Sequence, residues 1–254
     1  MALDEALLTS TSKKSTMPAL RLYSWNPPTL SLGYAQSINE VDMNTLARLG
    51  WDLVRRPTGG RAILHTDELT YSITAPVDDQ VVKGTLLESY QRISAALLLA
   101  LSLLGIAADA NRVYDVVQGN DKEPVCFEVP SNFEITVSGK KLIGSAQARK
   151  NGGVLQHGSL PLYGDLTRIT QVLNYPNEEK RVAGVSRLLD HAGTILSLTG
   201  KKVSLGDAQK AFIAAFAEEC NLDLKQTDPS DEENDLAREL MLTKYGSKEW
   251  NHRI

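Results

Sequence analysis

The chain has 254 residues, 42% of them hydrophobic and 23% charged, a globular composition large enough to bury a core without staples. A formal charge of −4 and a pI near 5.6 argue against a nucleic-acid binder, which carries a basic excess, and leave room for local basic patches. Cys126 and Cys220 lie far apart with no metal-ligand spacing, which implies neither a disulfide framework nor a metal site and suits a reducing cytosol.

In chain order, residues 2–9 form an amphipathic helix with no basic segment ahead of it, so no signal peptide is read there. Residues 9–17 are a polar loop. A strand over 20–25 breaks at Asn26-Pro27-Pro28 and a second runs over 29–34, closing at Gly33. Residues 41–49 are helical, with Gly50 as C-cap. Apolar runs ending at Val54 and starting at Ala62 flank a turn, and the second continues through 69–75 to Pro76. A helix fills 86–105 and stops at Gly105. The longest apolar run, 93–106, is too short to cross a bilayer, so no membrane role is read. A strand is expected in 107–117 and a polar loop in 118–124. Residues 133–137 and 141–148 form a hairpin turned at Ser138-Gly139. Asn151-Gly152-Gly153 turns into 154–162. Helices follow over 166–173, 178–181, 185–199, 204–219 and 231–245. This order predicts one α+β domain over 1–254: a mixed, largely antiparallel sheet flanked by helices, with a helical C-terminal region from 166.

The densest chemistry lies in residues 54–72, V-R-R-P-T-G-G-R-A-I-L-H-T-D-E-L-T-Y-S. Gly59-Gly60 lets a ligand approach main-chain N–H groups with no Cβ in the way. Arg55, Arg56 and Arg61 crowd positive charge around that approach, which a plain hairpin does not need. In the later hairpin, strand alternation sends Lys140 and Lys141 to opposite faces. Lys140 stays in solvent, and a buried Lys141 ammonium needs an anionic or carbonyl partner. Gly144-Ser145-Ala146 keeps the strand small there and leaves room for a ligand. Cys126 follows a polar loop between Pro124 and Pro130, upstream of that basic hairpin. Alone it reads evenly as an inert buried thiol or a nucleophile, and these surroundings shift the reading toward a thiolate activated by a nearby cation. Cys220, beside Glu218 and Glu219, reads as structural. His65, and His157 before Gly158, each read first as a satisfied core residue and second as a base or hydrogen-bond donor. No metal spacing, phosphate-binding P-loop or dinucleotide motif is present.

Taken together these segments resemble the catalytic domain of the lipoate/biotin protein ligase superfamily. R-R-P-T-G-G-R at 55–61 resembles its arginine–glycine signature, G-K-K-L-I-G-S-A-Q at 139–147 its lysine strand, and L-Q-H-G-S-L at 155–160 the strand that follows. H-T-D-E-L-T-Y-S at 65–72 and V-C-F-E-V-P-S at 125–131 are most similar to the cysteine-dependent octanoyltransferases. Thr66 is an insertion relative to that pattern. The family has a strand before the helix at 2–9, so the resemblance implies either a start placed late or a sheet lacking one strand, and in the second case an exposed sheet edge.

The resemblance implies two-step acyl transfer. Cys126 would accept an octanoyl group from acyl-carrier protein, Lys141 would polarise the thioester carbonyl, and a target lysine on a lipoyl-domain protein would take the acyl group. The glycine-cleavage H protein is the acceptor this branch implies. Arg55, Arg56, Gly59, Gly60, Arg61, His65, Ser145, Ala146, His157 and Gly158 would bind substrate, and Arg55, Arg56, Arg149 and Lys150 would also serve in docking the acidic carrier. The resemblance implies no resident cofactor, a monomer, and a cytoplasmic location. Three rivals stay open. One is an ATP-dependent lipoate–protein ligase needing ATP and Mg, with a structural Cys126. Another is a lipoyl amidotransferase working between lipoyl domains. The last is a non-catalytic binding module on the same scaffold.

Overall fold

The computed structural model describes residues 1–111, 125 and 134–254. Its elements are α1 (Ala2–Ser12), β1 (Ala19–Tyr23), β2 (Thr29–Leu32), α2 (Met43–Arg48), β3 (Asp52–Arg55), β4 (Ile63–His65), β5 (Glu68–Pro76), α3 (Leu86–Leu103), β6 (Asp109–Asn111), β7 (Glu134–Val137), β8 (Lys140–Lys150) and β9 (Gly153–Pro161). There follow α4 (Glu178–His191), α5 (Ile195–Thr199), α6 (Leu205–Glu219), α7 (Asp231–Leu240) and α8 (Lys248–Asn251), with 3-10 turns at Ile38–Glu40 and Leu166–Gln171 and a π turn at Met241–Tyr245. The main sheet is six-stranded and antiparallel, in the order β1-β5-β9-β8-β7-β6. A second sheet has the order β3-β2-β4, with β3 parallel and β4 antiparallel to β2. The α+β class holds.

Alternation along β5 builds both faces of the main sheet. Leu69, Tyr71, Ile73 and Ala75 enter the core beneath α3 and α6, where Tyr71 lies against Phe212 and Phe216. Glu68, Thr70, Ser72 and Thr74 form a buried polar row on the other face. There α1 crosses β5 and β9, and its buried Asp4 accepts from Ser72 at 2.7 Å and pairs with Arg21 at 2.6 Å. A second core joins Leu30, Leu32 and Ile63 of the small sheet to Ile169 and Leu188.

Several sequence expectations shift. The strands around the glycine turn do not pair with each other, because both flank β2. The apolar run beyond Ala62 is two strands in different sheets, divided by a bend at Thr66-Asp67. Arg168 holds that bend through Thr66 Oγ1 at 2.8 Å and the Asp67 carboxylate. The first helix extends to Ser12, because the Thr11 and Ser12 hydroxyls return to carbonyls within their own turn. The pieces read at 178–181 and within 185–199 are one helix, α4, followed by the short α5. The lysine hairpin has the expected two-residue turn, with Ser138 and Gly139 at φ 52 and 77. Among the described residues no helix is long and apolar enough to cross a membrane.

Candidate active site

A cavity of about 260 Å³ opens between the glycine turn, β8 and β9. Nine of the ten substrate-binding residues expected from sequence line it: Arg56, Gly59, Gly60, Arg61, His65, Ser145, Ala146, His157 and Gly158. Lys141 lines it as well. The register explains the convergence. Ser72, His157 and Ala146 form one cross-strand row, and Thr70, Ser159 and Gly144 the next.

The glycine turn is held from beneath by Arg56. Its guanidinium donates to the Gly59 and Arg61 carbonyls at 3.1 and 2.9 Å and to the Ser31 carbonyl and hydroxyl at 2.9 and 2.7 Å. Gly60 sits at φ 92, and nothing stands within 4 Å of where a Cβ on Gly59 would project. Arg61 lies 3.7 Å from Glu40. Lys140 and Lys141 do part to opposite faces. Lys140 reaches the Leu189 carbonyl at 2.5 Å, while the Lys141 ammonium is buried and pairs with Glu134 at 2.7 Å. Glu134 is the anionic partner that a buried lysine on this strand requires.

The two histidines differ in what they leave open. His65 is engaged at both nitrogens, Nδ1 by Glu68 at 2.7 Å and Nε2 by Ser31 at 2.7 Å, with Trp25 stacked on its ring. His157 meets Thr58 Oγ1 through Nε2 at 2.6 Å, and its buried Nδ1 has no partner among the described residues. Burial, with the charge of Arg56 added, pushes the His157 imidazole down to about 3, so it is neutral near neutral pH. Behind the cavity, Tyr71 Oη meets Ser145 Oγ at 2.7 Å, and Gln156 ties Tyr71 to Gln147. Burial pushes the Tyr71 phenol up to about 12.

Arg55 is a correction. Its side chain is fully buried and does not line the cavity. The guanidinium donates to the carbonyls of Gly33, Tyr34, Gln36, Trp250, Asn251 and Arg253. A cation so enclosed by carbonyls binds segments of its own chain together. Arg149 donates to the Val82, Gly84 and Thr85 carbonyls, and both it and Lys150 are exposed.

Cys126 lies outside the described residues. Val125 before it is buried and bridges Ala62, one residue past the cavity-lining Arg61. Cys220 follows α6 and packs on the main core, and burial pushes its thiol up, with Glu219 next in effect. Sequence reasoning missed Ser31, Glu68, Thr70 and Ser159. The signal for two of them was the alternation of E-L-T-Y-S itself, which puts Glu68 and Thr70 on the face opposite the core.

The sequence profile of the lipoyl protein ligase A/B catalytic domain matches residues 1–217. Octanoyltransferase LipM of Carboxydothermus hydrogenoformans is 40% identical over 255 residues, covering 100% of this chain and 94% of that protein. Octanoyltransferase LipM of Bacillus subtilis is 38% identical over 263 residues, covering 100% and 93%. A lipoate-protein ligase A bound with ATP superposes with a TM-score of 0.78 at 27% identity, covering 99% of this chain and 92% of the other. A bipartite lipoate protein ligase from Thermoplasma acidophilum shares the fold, with a TM-score of 0.79 at 24% identity and 98% and 91% coverage. The chain belongs to the lipoyl protein ligase A/B catalytic domain family. By its full-length kinship it is an enzyme of acyl transfer, an octanoyltransferase.

Proposed function

We propose that the chain moves an octanoyl group from acyl-carrier protein, through a thioester on Cys126, to a lysine of a lipoyl-domain protein, the glycine-cleavage H protein first among them. The observation that carries this is the convergence of Lys141, the glycine turn and His157 on one cavity. Placement of Val125 beside Ala62 supports Cys126 as the nucleophile that serves it.

In the first step the Cys126 thiolate attacks the thioester carbonyl carbon. A C–S bond forms to Cys126, the donor's C–S bond breaks, and the carrier thiolate leaves and takes up a proton. Lys141 and the N–H groups of the glycine turn stabilise the oxyanion. In the second step a neutral lysine amine attacks the acyl-enzyme. The C–N bond forms, the C–S bond breaks, the amine loses a proton and the Cys126 thiolate is restored. Neither step calls for a resident cofactor, and a reducing cytosol keeps the thiol available.

Intact-protein mass spectrometry after mixing with octanoyl-acyl-carrier protein, without ATP, tests this. An octanoyl adduct on the wild type and none on Cys126→Ala is the expected result. No adduct, with acceptor modification only when free acid and ATP are supplied, overturns it in favour of a ligase.

A further inference from the structure

Four side chains, two of which line the cavity, form a hydrogen-bond chain whose direction is fixed by its ends. A guanidinium only donates and a carboxylate only accepts. Arg56 donates to Ser31 Oγ at 2.7 Å, Ser31 Oγ lies 2.7 Å from His65 Nε2, and His65 Nδ1 lies 2.7 Å from Glu68 Oε1. Ser31 takes the Arg56 N–H and has one proton to give. Its other acceptor, the Ile63 carbonyl, is 3.5 Å away, so the proton goes to His65 Nε2. His65 is then neutral, with its own proton on Nδ1, donated to Glu68.

A second directed chain ends on the same carboxylate. Trp25 Nε1–H donates to Thr70 Oγ1 at 2.8 Å, and Thr70 donates to Glu68 Oε1 at 2.5 Å. Ser159 donates to the other carboxylate oxygen. Trp25 closes the arrangement by stacking on the His65 ring, centroids 4.3 Å apart and planes 13° from parallel. Burial works to raise the Glu68 carboxyl, but the hydrogen bonds it accepts from His65, Ser159 and Thr70 hold it below the usual range. Glu68 is therefore a buried anion that orders a network, of which Arg56, His65, Thr70 and Ser159 border the cavity.

We propose that Glu68 is the positioning residue of this wall: it fixes the Nδ1–H tautomer of His65 and, through Ser31, holds Arg56 on the Gly59 and Arg61 carbonyls that shape the glycine turn. With the other tautomer, Ser31 would face two donors, and its own proton would have only the distant Ile63 carbonyl. The effect on acyl transfer rests on the reading of the cavity given above, whereas the tautomer does not.

The test has two arms. In the first, the protein is labelled with ¹⁵N-histidine and two-bond ¹H–¹⁵N correlations are recorded near neutral pH. With four histidines in the chain, substitution of each assigns the spectrum. His65 is expected to show a protonated Nδ1 and an unprotonated Nε2 in the wild type, and mixed tautomers in Glu68→Gln. In the second, single-turnover acylation by octanoyl-acyl-carrier protein is expected to fall roughly 10- to 100-fold in Glu68→Gln and in Ser31→Ala. Ser31→Ala keeps the Glu68 pairing intact and so serves if Glu68→Gln does not fold. A wild-type His65 protonated on Nε2, or on both nitrogens, overturns the proposal. So does folded Glu68→Gln that keeps the single tautomer, or folded Ser31→Ala that acylates at the wild-type rate. A wild type that takes no acyl group defeats the acyl-transfer reading instead, and the spectrum still decides the role of Glu68.

Discussion

Gly33 and Gly60 meet backbone to backbone: a Cβ built on Gly33 would fall on the Gly60 carbonyl. The end of β2 therefore fixes where the glycine turn runs, and the turn fixes one wall of the cavity. The atom in the way is main chain, so no side chain can swing aside to make room.

Gly33→Ala is expected to push the glycine turn from its place, with a stability loss of roughly 1–3 kcal/mol and a larger loss of activity. Urea unfolding gives the first quantity and single-turnover acylation the second. Wild-type values for both would show that the turn is not set by this contact.

Arg55→Ala is expected to destabilise the protein by about 3 kcal/mol or more, because several buried carbonyls lose a charged donor together. Activity should follow the folded fraction. A fully folded Arg55→Ala protein with weakened carrier binding would restore the docking role expected from sequence.

Lys141→Met is expected to slow acylation of Cys126 by roughly 10²- to 10³-fold, the loss typical when an oxyanion donor is removed. Glu134→Gln keeps the ammonium but loses the carboxylate beside it, and should give a smaller loss in the same assay. If Glu134→Gln were the slower of the two, the carboxylate and not the ammonium would be the group that matters.

Acid should destabilise the fold in two stages. His157 is held near 3 in the fold against an ordinary value of 6.5. Between those values the unfolded chain binds a proton that the folded one does not, so stability drops as pH falls, by about 1.4 kcal/mol per pH unit. Asp4, Glu5 and Glu68 have carboxyls lowered in the fold, so the stability they contribute above their ordinary range is lost as pH falls through it. They steepen the decline only at the lower end. His157→Gln should flatten the upper stage, read from urea midpoints at about pH 7 and about pH 5. An unchanged difference between those midpoints would assign the upper stage to another group.

The sequence marked out the wall of the cavity better than its support. Gly59-Gly60, Lys141 and the small residues around Ser145 stand out locally, because their chemistry differs from what a plain turn or strand needs. The two-sheet arrangement does not, because the bend at Thr66-Asp67 is set by Arg168, about a hundred residues away. Adjacent arginines looked equivalent, yet alternation along β3 sends Arg55 into a nest of distant carbonyls and leaves Arg56 under the turn. Glu68 was given no role because its donors come from β4, β5 and β9, which only folding brings together.

The Arg55 cage has a consequence for the order of synthesis. Three of its six acceptors belong to Trp250, Asn251 and Arg253, nearly two hundred residues downstream. A nascent chain can form β2 and β3 long before those residues leave the ribosome, but its buried guanidinium then lacks half its cage. The stretch beside the glycine turn is thus among the first parts translated and among the last to be locked.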